Sequence, residues 1–194
     1  MKPEISHGEV LRKFSEIVAK SLHIDASKVT EDVSLDDLGA ESLDLIEITM
    51  EAEDVFNVWI SEKSILQTAA EVFGPNVLEQ DGFLTDTGKA LLLHRMPEID
   101  PASLEGQVPV KDLTKYFLRV SAWVRMIETL IAKNPQACPQ CGGELDKAVA
   151  FRMKCKQCGA ETALISGEDL NQQWVREFYN QHFAGPAVSD ALAS

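Results

Sequence analysis

Four cysteines, and no others, stand at positions 138, 141, 155 and 158 of the 194-residue chain. They form two Cys-x-x-Cys units, Cys138-Pro-Gln-Cys141 and Cys155-Lys-Gln-Cys158, with 13 residues between them. A disulfide scaffold would spread its cysteines along the chain, so this clustering points to a metal. Each unit bends back on itself, which aims both of its thiolates at one centre. Gly142 and Gly159 follow the second cysteine of each unit and release the tight turn. Four thiolates at tetrahedral spacing suit a single Zn2+ and leave no open coordination position. The expected ion is therefore structural, held by Cys138, Cys141, Cys155 and Cys158.

Around these cysteines the hydrophobic period is two. Val149, Phe151 and Met153 alternate with Ala150, Arg152 and Lys154, which predicts a strand leading into Cys155; Thr162 to Ile165 is a second candidate. A segment of about 30 residues cannot hold a sufficient core, and the metal supplies the missing folding energy. The segment resembles a zinc ribbon over about Ala137 to Ile165, and is assigned to 136–165. A redox pair needs only one Cys-x-x-Cys unit, and a rubredoxin-like iron site shares the knuckles but separates them further. Beyond it, Leu170, Trp174 and Phe178 recur every four residues and predict a C-terminal helix over 166–183, with 184–194 a flexible tail.

The first 133 residues read differently. Leu11, Phe14, Ile17, Val18 and Leu22 predict an amphipathic helix over 5–22. A polar loop follows, with Val29, Val33, Leu35 and Leu38 expected to pin it and Gly39 to turn it. A second helix starts near Glu41-Ser42, with Leu43, Ile46, Met50 and Phe56 expected inward and Leu45, Ile48 and Val55 at the edges. Its acids near the start complement the helix dipole; those near its end do not. Less regular sequence follows, with helices expected over 65–73 and 87–96, before a strong helical pattern resumes over 112–132 and stops at Asn134-Pro135.

Charge is divided unevenly. The net charge is −13, and residues 1–100 carry all of it with 21 acids against 8 bases. Such a surface repels phosphates and anionic lipid heads and suits partners with basic patches, so no nucleic-acid partner is expected. No apolar run approaches the ~20 residues of a membrane helix, and Met1-Lys2-Pro3-Glu4 does not begin a secretory signal. No membrane insertion and a cytoplasmic location are expected.

One further stretch is specific: Asp37-Leu38-Gly39-Ala40-Glu41-Ser42-Leu43-Asp44, continuing through Ile46-Glu47, Met50 and Phe56. It resembles the Asp-Leu-Gly-x-Asp-Ser-Leu-Asp motif of acyl carrier proteins, or more broadly of phosphopantetheine-binding carrier domains. The 11–22 helix and its long loop fit upstream, and Val120 to Leu130 looks like the family's last helix. Glu41 replaces the family's usual Asp, and about 61–118 is an insertion relative to it.

The resemblance implies a four-helix bundle without catalysis of its own. Ser42 takes 4′-phosphopantetheine from coenzyme A through a separate phosphopantetheinyl transferase, becoming a phosphodiester-modified serine. The arm's thiol then carries acyl groups as thioesters, as in fatty acid or polyketide biosynthesis. Asp44, Glu47, Glu51 and Glu53 correspond to acids that dock acyl-transferring or acyl-modifying enzymes through their basic patches. The expected architecture is therefore mainly α: an acyl-carrier-like helical bundle over 1–133 with a helical insertion, then a small β zinc ribbon and a C-terminal helix. The rival reading is a non-carrier adaptor, in which the bundle and ribbon form a protein-binding platform and Ser42 is only a helix cap.

Overall fold

The computed structural model describes residues 5–61, 63–74, 76–149 and 151–183. The tail expected at 184–194 lies outside the described residues. The fold is mainly α with small antiparallel sheets, and no described helix is long and apolar enough to cross a membrane. Two compact units share the described residues: 5–61 with 112–167, and 63–111 with 168–183. This grouping cuts across the linear order expected from the sequence. The ribbon segment joins the carrier-like helices, and the C-terminal helix joins the insertion.

In the first unit, spacings of three and four produce α1 (His7–Leu22), with Val10, Phe14, Ile17 and Val18 buried. The Ser6 side chain caps it by accepting from the Glu9 N–H at 3.3 Å. It packs against α2 (Ser42–Phe56) and α6 (Val120–Lys133). Trp123 stacks on Phe14 at 5.5 Å, and Val124, Ile127 and Leu130 complete the α6 face. The helix predicted over 112–132 is broken into a 3-10 turn (Val110–Leu113), the one-turn α5 (Thr114–Phe117) and α6. The break has a cause: the backbone at 118–120 is used to hold the long loop. Leu35 N–H donates to the Leu118 carbonyl at 2.9 Å, and Val120 N–H to the Val33 carbonyl at 3.0 Å.

His7, at the start of α1, ties three segments together. Nε2 lies 2.5 Å from Glu31 and Nδ1 2.8 Å from Glu128 on α6. The hydrogen bond to Glu31, then that to Glu128, raise the imidazole pKa above its ordinary 6.5. A group whose folded-state pKa is raised stabilises fully below its unfolded pKa and loses that contribution as pH rises through the folded one. His7→Gln is therefore expected to lower the unfolding midpoint at pH 6 and to match wild type by about pH 8.5, well above the ordinary imidazole range. Paired denaturation curves at the two pH values check this; a difference independent of pH would contradict it.

The ribbon contains β3 (Leu145–Lys147), β4 (Arg152–Cys155) and β5 (Glu161–Ala163) in antiparallel order β3-β4-β5. The strand expected to begin at Val149 begins at Arg152 instead. Ala148 N–H closes a turn onto the Arg152 carbonyl at 2.8 Å, leaving Val149 85% exposed and Phe151 left-handed at φ +56°. Leu145, Met153, Leu164 and two of the cysteines form the small core.

In the second unit, α3 (Ile65–Phe73) is capped by Ser64, and α4 (Asp86–Arg95) by Thr85. Between them β1 (Glu79–Gln80) and β2 (Phe83–Leu84) form a hairpin too short to show a period in sequence. Leu170, Val175 and Phe178 of α7 (Gly167–His182) are buried. The Arg95 guanidinium lies 3.6 Å over the Trp174 ring, and Phe73 meets Phe178, Tyr179 and Phe183. The insertion and the last helix thus share one aromatic core.

Candidate functional site

The loop before α2 delivers Ser42 by its backbone. Leu35 is fully buried, and Ala40 N–H donates back to its carbonyl at 2.9 Å. Gly39 N–H bonds the Asp36 carbonyl at 3.0 Å, with Gly39 in the left-handed region at φ +91°, where a Cβ would be strained. The chain then enters α2 at Ser42, which is exposed. Ser42 is not the cap of this helix. Glu41 holds the cap position, and the Asp44 carboxylate accepts from the Glu41 N–H at 2.7 Å. The serine occupies the first helical turn, where backbone N–H groups and the positive end of the dipole favour an attached phosphodiester.

The four acids singled out on α2 differ in what they touch. Asp44 is engaged at the cap. Glu51 pairs with Lys20 of α1 at 2.7 Å, and Glu53 accepts from the Ile60 N–H at 2.9 Å. Glu47 is exposed. The apolar face of α2 also differs from expectation. Ile48, Ala52 and Phe56 are buried, whereas Leu43, Ile46 and Met50 are 80%, 57% and 65% exposed. The sequence holds two apolar stripes on this helix, and the buried one is that at i, i+4 and i+8. The other lies with Glu47 and leads away from Ser42. An exposed stripe of three large apolar side chains needs an explanation beyond solubility.

The four cysteines converge as expected, with all four Sγ atoms within 4.8 Å of one another. The two knuckles are built alike. Cys138 N–H donates to Gly143 and Cys155 N–H to Ala160, both at 2.9 Å. Gly142 and Gly159 N–H groups return to the Cys138 and Cys155 carbonyls, each glycine left-handed at φ +73° and +72°. Cys138 and Cys155 are buried, Cys141 and Cys158 exposed. The Cys158 and Gln157 N–H groups draw the Cys155 thiol down to about 6. The Gly143 N–H pulls Cys141 the same way, but the facing sulfurs of Cys158 and Cys155 outweigh it and push that thiol up to about 12. Thiols this close cannot all ionise by themselves, whereas a dication at their centre would hold all four as thiolates. The donor set, its spacing and its backbone N–H groups fit one Zn2+.

Contacts between the ribbon and α2 had no local signal in the sequence. Lys147 reaches the Asp54 carboxylate at 2.5 Å and its carbonyl at 2.9 Å. Asn57, left-handed at the end of α2, donates to the Met153 sulfur at 2.9 Å. Trp59 stacks on Phe151 with centroids 4.9 Å apart and planes 6° from parallel.

Comparison with known proteins bears on the first of these sites. A family described as "Phosphopantetheine attachment site" matches residues 12–72, which include Ser42 and its motif. Acyl carrier proteins of two Streptococcus pneumoniae strains, serotype 4 TIGR4 and R6, are each 40% identical over 63 residues. Those 63 residues are 32% of this chain and 85% of each relative. No solved structure matches the chain. With a relative spanned almost end to end at that identity, and with the motif serine exposed at the head of α2, the chain belongs to the phosphopantetheine-binding acyl carrier family.

Proposed function

We propose that this chain is a specialised acyl carrier protein that serves other enzymes in the cytoplasm. The Ser42 hydroxyl receives 4′-phosphopantetheine from coenzyme A through a phosphopantetheinyl transferase. The thiol of the arm then holds acyl intermediates, of the fatty acid or polyketide type, as thioesters. The single observation that carries this reading is the exposed Ser42 in the first turn of α2, freed from capping by Glu41 and Asp44, within the segment that matches the family. A tethered arm presents its cargo to each enzyme at high effective concentration. One structural Zn2+, held by Cys138, Cys141, Cys155 and Cys158, takes no part in that chemistry and supports the ribbon.

Asp44, Glu47, Glu51 and Glu53 form the acidic side on which partner enzymes dock. The geometry gives them unequal parts. Glu47 is exposed, while Asp44, Glu51 and Glu53 serve contacts within the chain. Leu43, Ile46 and Met50 supply the apolar centre of the same surface. This combination fits an enzyme with a shallow apolar patch ringed by Lys and Arg.

Transferase-catalysed loading from coenzyme A tests the reading. Wild type gains one phosphopantetheinyl group. Glu47→Lys is expected to load about two- to fivefold more slowly at low salt, the size of an exposed charge pair, with the gap closing as salt rises. Ile46→Asp, in the centre of the contact, is expected to load about tenfold more slowly at any salt. Equal rates for both variants would remove α2 as the docking face. A wild type that stays unmodified would favour the adaptor reading.

A further inference from the structure

The acids at the end of α2 oppose its own dipole. Glu51, Glu53 and Asp54 lie in its last two turns, and the last turn has no basic residue. The missing cation comes from the ribbon. Lys147 donates to both the Asp54 carboxylate and the Asp54 carbonyl, one of the helix's terminal carbonyls. Three further contacts hold the same end. The Asn57 side chain reaches Met153, the Trp59 ring lies against Phe151, and the Gly167 N–H donates to the Trp59 carbonyl at 2.7 Å. Buried Asn134 joins both sides, accepting from the Ile165 N–H at 2.9 Å and donating to the Asn57 carbonyl at 3.5 Å.

The Lys147, Phe151 and Met153 contacts depend on the metal site through the β3–β4 hairpin. Met153 and Cys155 share one face of β4, the central strand, with Phe151 immediately before it; Met153 lies in the small core with Cys138 and Cys155, and Phe151 packs against that core. Phe151 is a bulky residue at φ +56°, a conformation that costs energy and persists only where the surroundings impose it. Here those surroundings are the closed hairpin on one side and the Trp59 ring on the other. Leu164 N–H fixes the Phe151 carbonyl at 2.8 Å.

We propose that the metal-bound ribbon is the C-terminal clamp of α2, so that metal occupancy sets the order of residues 53–60 in the helix that presents Ser42 at its other end. Lys147, Phe151 and Met153 are positioning residues, acting on α2 rather than on any cargo. This rests on the metal reading above and is independent of whether Ser42 is loaded.

Amide hydrogen exchange on the full chain, without coenzyme A, tests it. Stripping zinc with a chelator is expected to speed exchange across 53–60 by about tenfold or more, since hydrogen bonds and a stacked pair are lost together. Exchange within α1 should not change. Phe151→Gly separates the clamp from the metal. Glycine accepts the left-handed backbone, so the ribbon keeps its zinc while the stack on Trp59 is lost. Exchange at 57–60 should then rise roughly two- to tenfold at full zinc content. Unchanged exchange at 53–60 after zinc removal, or at 57–60 in zinc-loaded Phe151→Gly, would overturn the clamp. So would full protection of 53–60 in a chain that purifies without metal. A failure of Ser42 loading would leave these readings untouched and count only against the carrier function.

Discussion

Cys155→Ser is expected to release the metal and unfold the ribbon while leaving the helical core of the same unit in place. The buried core of the ribbon is Cys138, Leu145, Met153, Cys155 and Leu164, and two of those five are themselves metal ligands. So small a core cannot offset the entropy of ordering the segment. Structural zinc contributes on the order of 10–16 kcal/mol to folding in small domains, and most of it goes with a ligand. The helices have their own support in Phe14, Ile48, Ile127 and Trp123. Ser42 is separated from Phe56 by the length of α2, roughly 21 Å at 1.5 Å per residue. Loading of Ser42 should therefore survive. Metal analysis, exchange across 137–165 and a loading assay together check the outcome. Iron with a visible charge-transfer band would overturn the zinc assignment. Complete loss of loading in a variant whose α1 and α6 stay protected would place the ribbon inside the carrier chemistry.

Ser42→Ala is expected to abolish phosphopantetheine loading at almost no cost to stability. Serine is commonly a helix cap, and at a cap the change to Ala costs about 0.5–2 kcal/mol. Here Glu41 and Asp44 hold the cap, and Ser42 is exposed at a position where Ala is a good helix former. The adaptor reading, with Ser42 as a cap, predicts the opposite pattern: a measurable loss of stability and no change in modification. Thermal melts of the two proteins side by side check that Ser42 does not cap α2, and the loading assay separates the carrier from the adaptor.

Sequence periodicity located α1, α3, α6 and the start of α2 because each buries one face at helical spacing, and local pattern suffices for that. The cysteine site was legible for a different reason: two identical knuckles dictate their own geometry. The buried face of α2 differs from the one its pattern predicts. Leu43, Ile46 and Met50 are as apolar as Ile48, Ala52 and Phe56, and tertiary packing, with α1 against α2, decides which stripe is buried. The β1–β2 hairpin has strands of two residues, below any readable period. The partnership of α7 with the insertion, and of Lys147 with Asp54, joins residues more than 90 positions apart in the latter case. Such pairings leave no local trace. The poor match between the acids at the end of α2 and its dipole was visible, but its partner on the ribbon was not.

The most direct measurement for the carrier assignment is the intact mass of the zinc-loaded chain after incubation with coenzyme A and a broad-specificity phosphopantetheinyl transferase. The expected result is a gain of one phosphopantetheinyl group per chain, located on the peptide containing Ser42 and missing from Ser42→Ala. A folded, zinc-loaded chain whose mass does not change with any of several transferases, or a group carried on another residue, would contradict it.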